Sequence, residues 1–86
     1  MTIRIGADID RKQMGKELKD LIFSKGYTSI YDFHLRCAQD RISYSALKDT
    51  IAGRREASVS ALMNIADALE MKPLEFFAKF SFKRIA

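Results

Sequence analysis

The side chains that most often serve as nucleophile, general base or soft metal ligand are scarce in this sequence, which has one histidine, His34, and one cysteine, Cys37. Neither has a companion. No nucleophile or carboxylate pair accompanies His34, and a lone thiol lacks the thiolate partners that a zinc site normally uses. Cys37 falls on an apolar helix face, where a single cysteine usually behaves as a small buried hydrophobe, and His34 is expected to be a packed or partly exposed structural residue. No phosphate loop, metal cluster or catalytic set is present, so no catalytic residue, metal or cofactor is expected, and the chain is not expected to be an enzyme.

A different chemistry is on offer between Ser43 and Arg55. At about 100° per residue around a helix, Leu47 and Ile51 point one way, while Ser45, Lys48 and Asp49 point the other. Tyr44 sits on the flank near the helix start. A helix that enters the major groove needs this division, with apolar residues behind it as anchors and donors or acceptors in front for the base edges. Arg54 and Arg55 follow the helix directly, where phosphates would pass, and they add affinity without sequence information. Asp49 is repulsive near phosphates unless it accepts from cytosine or orients Lys48 or Arg55. The plain alternative for all these charges is a solvated helix face.

The elements that must position these residues read as five short helices. From Ile9 to Lys25, the residues Met14, Leu18, Leu21 and Ile22 recur at steps of three and four, and Gly26 stops the helix. Thr28 or Ser29 caps a second helix whose inward face is Ile30, Phe33 and Cys37. Gln39-Asp40-Arg41 interrupts the pattern. Ser43 caps a third helix that ends before Gly53, and Ser58 caps a fourth with a wide stripe of Val59, Leu62, Met63, Ile65, Ala66 and Leu69. Pro73 opens a short fifth helix through Leu74, Phe76 and Phe77. At the two ends, Thr2 to Ile5 and Phe80 to Ile85 show hints of the two-residue alternation of strands.

At 86 residues, with 48% hydrophobic and 30% charged side chains, the chain has the composition of one globular domain, taken as 1–86 with a core of about 9–78. The formal charge of +4 permits a polyanionic partner without requiring one. A single cysteine fits a reducing compartment. With no apolar run of membrane-span length and no signal-like amino terminus, a cytoplasmic protein is expected. Phe76, Phe77, Phe80 and Phe82 put four phenylalanines within seven residues. That exceeds the obvious needs of a small core and predicts a dimer interface there.

From Ile42 to Phe77 the sequence resembles the Cro and lambda-repressor-like helix-turn-helix family of the xenobiotic-response-element type. The residues that carry the resemblance are Ile42-Ser43-Tyr44-Ser45-Ala46-Leu47, Gly53-Arg54-Arg55, Ser58, Ile65-Ala66-Asp67-Ala68-Leu69 and Leu74-Glu75-Phe76-Phe77. With the first two helices included, the match covers roughly Leu18 to Phe77. Three features depart from the family pattern: His34 stands at a usually small position, Ala38-Gln39-Asp40-Arg41 replaces a short glycine turn, and Thr50 replaces a more apolar residue. The resemblance implies an all-α, five-helix lambda-repressor-like domain. It assigns base contacts to Tyr44, Ser45, Lys48 and Asp49, and phosphate contacts to Ser29, Ser43, Arg54 and Arg55. The expected partners are double-stranded DNA and a second copy of the chain, in a dimeric transcriptional repressor that reads a palindromic operator. The competing expectation is an antitoxin or other interaction module that binds DNA secondarily.

Overall fold

The computed structural model describes residues 10–55 and 57–82, and among these the secondary structure is helical, with no strand. Helix α1 spans Arg11–Ser24 and α2 spans Ile30–Phe33, running on without a break into a π-helical turn, His34–Ala38. Three further helices follow: α3 (Tyr44–Ala52), α4 (Val59–Ala68) and α5 (Pro73–Phe77). The starts are set chemically. Asp10, Ser29, Ser43 and Ser58 are extended in backbone, and each accepts a hydrogen bond on its side chain from the amide three residues on. At α5 the proline occupies the first turn, where a missing N–H costs no helical bond.

The residues that recur at helical spacing meet in one core. Leu18, Ile22, Phe33, Leu47, Ile65 and Phe76 are its largest fully buried side chains. Ile51 and Cys37 are partly buried against it. The Cys37 sulfur lies 2.8 Å from the Tyr27 hydroxyl, and this hydrogen bond, with some burial, raises the phenol above its ordinary pKa. α1 and α3 cross closely at Gly15, where a Cβ would overlap the Ile51 carbonyl oxygen. Gly53 closes α3 in the left-handed region at φ 74°, its N–H donating to the Thr50 carbonyl while the Arg54 N–H donates to Asp49.

The interruption at Gln39 to Arg41 is a hydrogen-bonded turn that follows the π-helical segment directly. After it, the Ala38 carbonyl accepts from the amides of Arg41 and Ile42, at 3.0 and 3.1 Å. His34 then ties the turn back, with Nε2 2.7 Å from the Ile42 carbonyl oxygen. From the other side, the Asn64 side chain of α4 donates to the Arg41 carbonyl at 3.0 Å, and the Arg41 guanidinium pairs with Asp67. Thr50, the polar residue in an apolar position, is buried with its hydroxyl donating to the Ala46 carbonyl at 2.8 Å, so its polar group is satisfied within α3.

Two expectations for the carboxy-terminal segment are corrected. Phe80 to Phe82 is not a strand: Phe82 has φ 48°, and the Ser81 N–H and hydroxyl both donate to the Glu17 carboxylate of α1, at 3.1 and 2.9 Å. Nor are Phe76 and Phe80 available to a subunit interface. They are 0% and 7% exposed, their rings meeting edge to face at 5.0 Å, and Phe77 and Phe82 are half-buried against the same cluster. The aromatic surplus has an intramolecular use, since the four rings pack on one another and against the core. The strand expected at Thr2 to Ile5 and the residues after Phe82 lie outside the described residues. Among the described residues, no helix is long and apolar enough to cross a membrane.

Candidate nucleic-acid interface

α3 is fixed from behind. Leu47 is fully buried, Thr50 nearly so, and Ile51 packs beneath the crossing with α1. The face opposite is open, and Ser45, Lys48 and Ala52 are exposed there, with Asp49 half-buried. Rigid backing and a free polar front are what a reading helix requires.

One rim of this face belongs to α2. Tyr44, the first residue of α3, packs its ring against Tyr31 and His34, with centroids 5.4 Å away in both cases. Lys48, one turn on, holds its ammonium 4.9 Å above the Tyr44 ring. Tyr44 is therefore half-buried and held in place, and the first turns of α2 and α3 share an edge. Tyr31 itself is 54% exposed on that edge. Nothing in the sequence pattern singled it out beyond its being an aromatic off the inward face of Ile30, Phe33 and Cys37.

The opposite rim faces α4. A groove of about 230 Å³ runs between the Ala46 and Thr50 side of α3 and the start of α4. Arg55, Ser58 and Asn64 line it. The two arginines, which the sequence treats as equivalent, part company here. Arg54 turns back to the carboxylate of Asp49, and Arg55 lies in the groove. Asp49 thus orients Arg54, rather than Lys48 or Arg55. Among the described residues no ion pair holds Arg55.

The two serines assigned to phosphates are both helix caps. Ser43 Oγ accepts from the Ala46 amide at 3.1 Å, and Ser29 Oγ accepts from Asp32 at 2.9 Å. A hydroxyl that accepts still has its own proton to donate, so a cap can also meet a phosphate oxygen. Asp32 completes the cap of α2 by accepting from the amide and hydroxyl of Thr28, at 3.0 and 3.2 Å. The amide bond, foremost, holds the Asp32 carboxyl below its ordinary pKa, with Arg36 one turn on adding to it. The positioning residues that sequence reading passed over are Gly15, Arg41 and Asn64. Their signal is weak because each acts through a partner far away in the chain. Among the described residues, no group of three His, Cys, Asp or Glu side chains stands as a metal set.

In comparisons by sequence and by structure, no family model, curated protein or solved structure matches this chain.

Proposed function

We propose that this chain is a sequence-specific, double-stranded-DNA-binding regulator of transcription, of the Cro and lambda-repressor-like helix-turn-helix kind. It acts in the cytoplasm as a repressor and binds a palindromic operator as a dimer. The observation that carries the reading is the orientation of α3: Leu47 is 0% exposed while Ser45 and Lys48 on the opposite side are open. The helix also begins at a serine cap and ends at Gly53-Arg54-Arg55, so basic side chains stand at its exit. One such helix touches too few base pairs for specificity in a genome, and a second copy supplies the other half-site.

Selection of bound fragments from random duplex DNA tests the reading directly. The expected result is one enriched motif made of two inverted half-sites, their centres about one helical turn apart or a multiple of it. Recovery of no motif, with binding equal on all sequences, would overturn it. A second reading, an interaction module that binds DNA secondarily, is favoured by the exposure of Leu74 and Val59, at 86% and 60%. Co-purification of a stoichiometric protein partner that covers these residues is the result that would support it.

A further inference from the structure

The edge shared by the first turns of α2 and α3 sets two aromatic rings, Tyr31 and Tyr44, against each other. Tyr44 has its ring set by three neighbours: Tyr31 at 5.4 Å and 76°, His34 at 5.4 Å and 47°, and the Lys48 ammonium at 4.9 Å. Packing on three sides narrows the positions the ring can take, and apart from its hydroxyl the surface the ring offers is aromatic carbon. Beside it, Tyr31 leaves 54% of its surface open while its ring meets that of Tyr44 in a T-shaped contact.

We propose that this aromatic edge recognises the C5-methyl group of a pyrimidine in the major groove, with Tyr44 making the contact and Tyr31 acting as a further specificity residue beside it. The proposal rests on the reading of α3 as the base-reading helix. Base edges in the major groove offer donors, acceptors and a single apolar group, the methyl at C5 of thymine. Setting a fixed aromatic rim against donors or acceptors strips them of water without replacing the hydrogen bond. Setting it against a methyl buries apolar surface on both sides. 5-Methylcytosine carries the same group at the same place, so the chemistry recognised is that of a 5-methylpyrimidine. Lys48 adds a second requirement. Its ammonium, poised over the ring, reaches an acceptor on the same or the adjacent base pair, such as thymine O4 or guanine O6 and N7.

The test uses the intact chain and the duplex recovered by selection, with each thymine replaced in turn by uracil and each cytosine by 5-methylcytosine. Uracil removes the methyl and leaves every hydrogen-bonding atom in place. One uracil position per half-site is expected to weaken binding about three- to tenfold, the range for burying one methyl against a packed ring. Where that base pair is changed to C·G, methylating the cytosine is expected to recover part of the loss. Tyr44→Phe keeps the preference for thymine over uracil, because the ring and not the hydroxyl makes the contact. Tyr31→Ala, an exposed substitution that leaves the core intact, brings the ratio toward one. Equal binding of thymine and uracil at every position, with other base preferences intact, overturns the inference and leaves the DNA reading standing. A Tyr31→Ala protein that keeps the full ratio overturns the role of Tyr31. The absence of any base preference overturns both the inference and the reading beneath it.

Discussion

Asp49 and Arg54 bridge the end of α3 twice: Nη2 and Nε of the guanidinium lie 2.8 and 3.0 Å from the same carboxylate oxygen, and the Arg54 amide donates to the Asp49 carbonyl at 3.0 Å. The pair is neutral as a unit, so the Asp49 carboxylate offsets the charge that Arg54 can bring to a phosphate. Replacing Asp49 with Asn releases that arginine. Affinity for random duplex DNA is expected to rise, and the slope of log affinity against log salt to steepen by about one. Stability should change by less than about 0.5 kcal/mol, because exposed pairs contribute little. Titrations across a salt series, with thermal melts alongside, check both parts, and an unchanged slope would show that Asp49 does not restrain Arg54.

Lys48 and Arg55 are expected to fail in different ways. Lys48→Ala should cost about 1–3 kcal/mol on the preferred site and relax the choice of base at one position, with random DNA bound nearly as before. Arg55→Ala should weaken preferred and random DNA alike and make the salt slope shallower by about one. Binding measured on matched and scrambled duplexes at several salt concentrations separates the two. If both variants shift only the salt slope, α3 is not reading bases.

Gly15→Ala sets two effects of opposite sign against each other. Alanine improves helix propensity by about 1 kcal/mol over glycine. Against this, its methyl would overlap the Ile51 carbonyl, and forcing α1 and α3 apart in a packed core costs about 1–3 kcal/mol or more. The steric effect is expected to win, lowering the melting temperature by several degrees in a domain of this size. On the proposed function DNA affinity should fall as well, because Ile51 seats α3 at the crossing. A protein stabilised by the substitution would mean that the helices cross further apart.

Asp32 links stability to acid. Its folded pKa lies below the ordinary value because the Thr28 amide and the nearby Arg36 favour the carboxylate. Its contribution is therefore present above the unfolded-state pKa and is lost as pH falls through the lower folded-state value, in the range below roughly pH 4. Asp32→Asn should lower stability at neutral pH and flatten that acid limb. Denaturant melts of both proteins from neutral pH down to this range test it, and parallel curves would count against the assignment.

Much of the fold was legible because its signals are local. The serines at 29, 43 and 58 announce helix starts by side-chain chemistry that depends on the next three residues, and Gly53 announces an end by a backbone angle. The Leu47 and Ile51 side of α3 was legible for the same reason, since helical periodicity fixes opposite faces together. What escaped depends on contacts between residues distant in the chain. Four phenylalanines within seven residues look surplus until their rings are seen packed on one another and against the core. Arg54 and Arg55 look alike until Asp49 captures one and the groove beside α4 receives the other. Gly15 reads as a weak spot in a helix, and only the crossing with α3 shows why a larger residue would not fit.

The contact between His34 and Ile42 has a spectroscopic consequence. A carbonyl oxygen has no proton to give, so the 2.7 Å approach fixes the imidazole proton on Nε2 and leaves Nδ1 as the acceptor of the neutral ring. With one histidine in the chain, every imidazole nitrogen resonance belongs to this residue. The tautomer and the exchange rate of its ring proton with water then report, without a ligand, whether the connection between α2 and α3 is shut. The joint between α2 and α3 thus carries its own magnetic gauge.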